Sequence, residues 1–184
     1  MKRILPLMLA AALFAPAATL AQDAAMSAQV KRGEYLVTTG LCHDCHTPLV
    51  MGPDGPAPDM KRALSGHPQD IVITAPAPVS APWMGGFSPT LTAWSGPWGV
   101  SFSANLTPDP ETGRLRDFTE QQFLQTLRTG RHQGQGREIL PPMPWPFIGK
   151  MTDDDLKAIF AYLRQIPAVK NKVPDPIMAP PPAK

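Results

Sequence analysis

Cysteine is scarce in this chain: 184 residues hold two, Cys42 and Cys45. A framework of disulfides needs several pairs, so that class of small exported fold is excluded. A tetrahedral zinc site draws on four ligands, usually two such pairs, and no second pair exists. A bridge between Cys42 and Cys45 themselves would close too small a loop to constrain the unfolded chain much. Net charge is also scarce, at +2. That leaves no global field of the kind nucleic acids or anionic membranes attract. Long apolar runs are missing as well. The best of them, near residues 4–18, is broken by Pro6 and Pro16 and falls short of the roughly 20 residues of a membrane span. No strand signal precedes Cys42, which argues against a thioredoxin-like redox centre, and no glycine-rich phosphate loop follows a strand.

What the amino terminus does carry is a leader pattern. Lys2 and Arg3 precede the apolar run, and the stretch Thr19-Leu20-Ala21 ends on a small residue. This reads as a signal peptide over residues 1–21, cut after Ala21. Residues 22–184 are then expected in a bacterial periplasm, with no transmembrane segment. Removing Lys2 and Arg3 leaves basic and acidic residues equal in number. Docking to a partner would therefore use local patches. Arg114, Arg116, Arg128, Arg131 and Arg137 are one candidate patch, and a solvated basic surface is the other reading of the same residues.

Proline is abundant, at 24 residues. It lacks the N–H that helix and sheet ladders use, so long regular elements are confined to the stretches between prolines. Three helices are expected there. The first covers 27–39, capped by Ser27 and stopped by Gly40. The second follows Thr119, with Gln122 completing a capping box, Phe123, Leu124 and Leu127 as its apolar stripe, and Gly130 as its end. The third follows Thr152, with Asp155 in the capping-box position, and Leu156, Ile159, Phe160 and Leu163 at i, i+3, i+4, i+7. Residues 48–103 read as a long ordered loop, with Ile71–Ile73 as one candidate strand and room for a short hairpin. The tryptophans in it need burial. Residues 174–184, dense in proline, read as an extended tail. One domain over residues 22–173 is expected.

Both thiols lie in Gly40–Pro48, GLCHDCHTP. Cys42-His43-Asp44-Cys45-His46 is C-x-x-C-H, the attachment pattern of c-type heme. Two thiols must reach two vinyl groups on one porphyrin, and a turn of backbone sets their separation. His46 follows at once and is placed to ligate the iron from the same turn. His43 reads as a spacer residue. The second axial ligand must come from elsewhere. Met143 stands out because Pro141, Pro142, Pro144 and Pro146 stiffen its loop, which lowers the entropy lost on ligation. Met151, Met84, His67 and His132 are the other candidates, together with an open site. A methionine ligand raises the potential relative to a second histidine.

With these residues in place the chain resembles a class I cytochrome c. The stretches SANLTPDPETG, FTEQQFLQTLRTGRH, PPMPWPF and MTDDDLKAIFAYLRQIP are similar to the c-type cytochrome domains of membrane-linked alcohol, aldehyde and sugar-acid dehydrogenases. The resemblance covers about 27–170, and the long loop departs from it. It implies a mainly α fold: a three-helix cytochrome c core around heme, with long Pro/Gly-rich loops. It implies that the first and last helices cross, with Gly33, Tyr35 and Leu36 against Phe160, Tyr162 and Leu163. It implies that Asn105 and Thr107 lie near the heme edge, where they would meet a propionate or simply form a turn. Trp94 and Trp98 would shield the heme, bond a propionate or pack in the core. Such subunits usually carry several hemes, whereas this chain has one attachment motif.

The function this implies is a periplasmic mono-heme carrier of single electrons between a protein donor and acceptor, with no other catalytic group. Two alternatives stand beside it. One is an electron-transfer subunit of a dehydrogenase complex. The other is a heme peroxidase or ligand sensor with an open distal site.

Overall fold

The computed structural model describes residues 15–180, with side chains from residue 26 onward. The expected leader, residues 1–21, lies for the most part outside the described residues. No helix among the described residues is long and apolar enough to cross a membrane.

Helix α1 spans Ala15–Thr39. It starts well before the expected cap, so Ser27 lies inside it. Half of the residues 17–26 are alanine, a strong helix former, and no proline follows Pro16 to stop the helix. Its end is as expected, with the Gly40 amide bonded to the Leu36 carbonyl at 2.8 Å. Helix α2 is a single turn, Cys42–His46. Helix α3, Glu120–Thr129, has the whole capping box: Thr119 Oγ1 accepts from the Gln122 amide, and Gln122 Oε1 from the Thr119 amide. Gly130 closes it in the left-handed conformation. Helix α4, Trp145–Ile148, is a short turn. Helix α5 is Asp153–Leu163, capped by Thr152. Asp155 does not complete a box there, because its carboxylate pairs with Arg32 at 2.9 Å.

Helices α1 and α5 cross closely, and α3 packs on α5. The core cluster holds Leu36, Val37, Phe123, Leu124, Leu127, Leu156, Ile159 and Leu163. The crossing uses Gly33, Leu36 and Val37, which share one helical face at i, i+3, i+4. Tyr35 falls off that face. It is 58% exposed and lies under the Arg32 guanidinium, so the expected Tyr35 contact is replaced by Val37.

Residues 48–103 are more regular than a loop. Strands β1 (Leu49–Gly52) and β2 (Gly55–Pro58) form a hairpin. Strands β3 (Gly86–Phe87), β4 (Ala93–Gly96), β5 (Gly99–Phe102) and β6 (Ile177–Met178) form an antiparallel sheet in that order. The described structure is thus mixed, 32% helical and 14% strand. Ile71–Ile73 is not a strand. The Ile71 amide turns back to the Pro68 carbonyl, and its own carbonyl accepts from His67 Nε2. The tail is not free as far as Ala179. Ile177 and Met178 pair with Val100 and Gly99, and the Ala179 amide bonds Trp98 O at 3.0 Å. Gly99 permits this with φ of 103°. A Cβ there would stand 1.9 Å from the Ile177 carbonyl oxygen.

Candidate functional site

Leu41, in the left-handed conformation with φ of 61°, turns the chain from α1 into α2. On this one turn Cys42, Cys45 and His46 occupy i, i+3 and i+4, so they share a side, while His43 points elsewhere. His43 Nδ1 lies 2.8 Å from Thr47 Oγ1, which also accepts the Leu64 amide. His43 is therefore tied into the chain, consistent with a spacer.

His46 is buried, and its Nδ1 lies 2.8 Å from the Ala104 carbonyl oxygen. A carbonyl only accepts, so Nδ1 carries the proton and Nε2 keeps its lone pair. That is the tautomer a metal ligand needs, with the outer bond fixing the ring. Burial holds the imidazole below its ordinary pKa. The Ala104 bond opposes this, and His43 adds to it. The ring is neutral at physiological pH.

The thiols are perturbed the other way. Burial pushes Cys42 up to about 11 and raises Cys45 too, with the Asp44 charge adding to both. They remain thiols at neutral pH. A reactive redox dithiol shows the opposite, a pKa lowered by helix termini or nearby cations.

Among the described methionines, only Met143 and Met151 pack against the core; Cys42 packs against the same core. Met26, Met51, Met60, Met84 and Met178 are each at least 48% exposed. The Met143 loop is held at both ends. Ser101 Oγ donates to the Pro141 carbonyl at 2.5 Å, and the Trp145 ring lies against Gly130, where a Cβ would come within 2.3 Å of it. The other histidine candidates differ. His67 is fully buried with both nitrogens engaged, Nε2 donating to Ile71 O and Nδ1 paired with Thr92 Oγ1, each at 2.9 Å. Its lone pair is used inside the chain. His132 lines a cavity with Arg114 and Arg116 and is not among the residues packed on the core.

Asn105 is 1% exposed, and its amide is spent on the chain itself. Nδ2 donates to Val169 O at 2.8 Å, and Oδ1 accepts from the Thr107 amide and hydroxyl at 3.0 and 2.7 Å. Asn171 repeats the device. It donates to Ser65 O and His67 O and accepts from the Gln69 amide. Together they lash the segment after α5 to residues 65–69 and to Asn105, the neighbour of the Ala104 that holds His46. Asn105→Ala is expected to destabilise the protein by about 2–4 kcal/mol, because several buried groups lose partners at once. Urea unfolding measures this, and an unchanged midpoint with an altered heme potential would assign Asn105 to a propionate instead.

Do these residues fit a covalently held heme? The turn presents two thiols and a ligand-competent imidazole on one side. Trp94 Nε1, Trp98 Nε1 and Ser65 Oγ are buried with no hydrogen-bond partner among the described residues. Unpaired buried donors are rare in native proteins, and a cofactor bearing carboxylates supplies acceptors. The residues fit. The Ala104 carbonyl, the Asn171 clamp and the Ser101–Pro141 tie were not foreseen from sequence. All three rest on backbone acceptors, which leave no mark in residue identity.

No family model matches the chain. It is 32% identical over 158 residues to the cytochrome c subunit of the quinone alcohol dehydrogenase of Gluconobacter oxydans, covering 84% of this chain and 25% of that protein. It is 34% identical over 162 residues to the gluconate 2-dehydrogenase cytochrome c subunit of Pantoea cypripedii, covering 88% and 28%. It is 28% identical over 153 residues to the fructose dehydrogenase cytochrome subunit of Gluconobacter japonicus, covering 80% and 24%. The chain spans about a quarter of the length of these curated relatives.

Proposed function

From a chain similar over most of its length to cytochrome c subunits of alcohol, gluconate and fructose dehydrogenases, we propose a periplasmic cytochrome c that carries single electrons and serves a dehydrogenase as donor. One heme c is attached at Cys42 and Cys45, with His46 and Met143 as axial ligands. Such a heme supplies one-electron Fe(III)/Fe(II) chemistry. The chain's own residues do the rest. Cys42 and Cys45 tether, Ala104 orients His46, and the proline-flanked loop presents Met143 with little reorganisation. The three-helix core and its sheet exclude water from the buried side. The observation that carries this reading is the His46–Ala104 bond, which leaves Nε2 as the unprotonated ring nitrogen on the turn that also carries both thiols.

The test is a mass measurement of the exported protein with visible spectra in both redox states. A covalent addition of one heme and a low-spin spectrum are expected. Met143→Ala is expected to lower the midpoint potential by on the order of 0.1 V, since axial ligands tune heme over a range of about 0.8 V. It should also open the iron to exogenous ligands. Wild-type protein that is already high-spin and binds carbon monoxide quickly would favour the sensor or peroxidase reading.

A further inference from the structure

Five arginines among the described residues, Arg32, Arg62, Arg116, Arg128 and Arg131, each pair with a carboxylate at 3.0 Å or less. Arg164 bonds the Leu115 and Arg116 carbonyls. Arg114 and Arg137 form no ion pair among the described residues; Arg114 is half-buried and Arg137 is exposed. Burial is the first cause lowering the pKa of each; the neighbouring charge of Arg116 lowers Arg114 further, and that of Arg114 lowers Arg137. Between them stands His132, pushed down to about 4 by burial and then by Arg137 and Arg114. A cavity of about 190 Å³ opens here, lined by Arg114, Arg116, Asp117, Phe118, His132 and Gln133. Asp175 acts on Arg114 and Arg137 from a distance but pairs with neither.

Position ties this cavity to the heme turn. The Arg114 amide bonds the Asn105 carbonyl at 2.7 Å, one residue from the Ala104 carbonyl that holds His46. The Arg137 carbonyl accepts the His132 amide at 3.1 Å, in the segment that runs into the Met143 loop. A half-buried guanidinium with no ion-pair partner, as at Arg114, is costly, and its fork matches a carboxylate. We infer that the cavity at Arg114 and His132, with Arg137 beside it, binds carboxylate, and that the carboxylates are the propionates of the heme held at Cys42–His46. This rests on the heme reading above. The two cations thereby bias the iron toward its reduced state as well as anchoring the cofactor's polar edge.

The test uses the heme-loaded protein with Arg114→Gln and Arg137→Gln, read by spectroelectrochemistry at low and high salt and by redox-difference infrared spectroscopy. Each loss of charge is expected to shift the reduction equilibrium about tenfold toward Fe(III), which is about 59 mV for a one-electron couple. The shift should persist at high salt, and the propionate carboxylate band should move. Arg114→Lys keeps the charge and loses the fork, so it should move the band with little change in potential. This variant carries the test if Arg114→Gln does not accumulate. Arg131→Gln, whose native charge is already paired with Glu138, should leave both readings unchanged. Unaltered potential and band in both glutamine variants would overturn the inference. So would a salt-screened loss of reduction rate by an acidic protein donor with no change in potential, which would assign the carboxylates to a partner. Wild-type protein with no covalent heme would defeat the underlying reading, a result separable by mass before any variant is made.

Discussion

Gly33→Val is expected to destabilise the protein by about 3–5 kcal/mol, a large part of the roughly 5–15 kcal/mol by which small proteins hold together. A Cβ at position 33 would stand 1.9 Å from the Ala158 carbonyl oxygen, 2.6 Å from its carbon and 2.7 Å from Tyr162 Cβ. The first two contacts are with backbone, so no rotamer change relieves them. The axes of α1 and α5 must separate, and Leu36, Val37, Leu156, Ile159 and Leu163 beneath the crossing then lose contact together. Alanine is the sharper substitution. Its helix propensity favours it over glycine by about 1 kcal/mol, so if Gly33→Ala still destabilises, the close approach is the cause. Urea unfolding followed by far-ultraviolet dichroism reads both variants. An unchanged midpoint in Gly33→Ala would mean that the crossing is looser than described.

Replacing both Cys42 and Cys45 with serine is expected to remove covalently bound heme entirely, because each thiol is one of the two tethers. The singly substituted proteins should each retain one link, with less cofactor surviving denaturation. Heme staining after denaturing electrophoresis, with intact mass, measures this. The competing thiol chemistries make a different forecast. A redox dithiol would leave wild-type protein without added mass and with titratable, reactive thiols, contrary to the raised pKa of both cysteines. Full heme content in the double variant would sink the attachment model.

How much was legible beforehand differs by element for physical reasons. Helix α3 was readable at both ends because its signals are local: a threonine, a glutamine three residues on, and a glycine at the close. C-x-x-C-H is itself local, so its residues are expected on one turn, and α2 is that turn. Tyr35 was placed at the helix crossing by residue type, whereas helical spacing puts Val37 there. The sheet was largely hidden. Its strands are as short as two residues, and β6 pairs only because β5 offers a free edge. Sequence alone offers Asn105 two roles, turn former or propionate partner. Its actual contacts include Val169, 64 residues away, which no local pattern announces.

The Asn171 clamp also fixes an order in time. Its bond to Ser65 joins groups 106 positions apart, and contacts of such separation form late because a long stretch of chain must first be closed into a loop. A chain made from its amino end offers Cys42 and Cys45 long before Asn171 arrives. Until then the segments beside His46 lack their outer lashing, and the two thiols are most accessible. On the proposed function, attachment of the heme has its natural interval there, before the carboxyl-terminal strand closes the fold behind it.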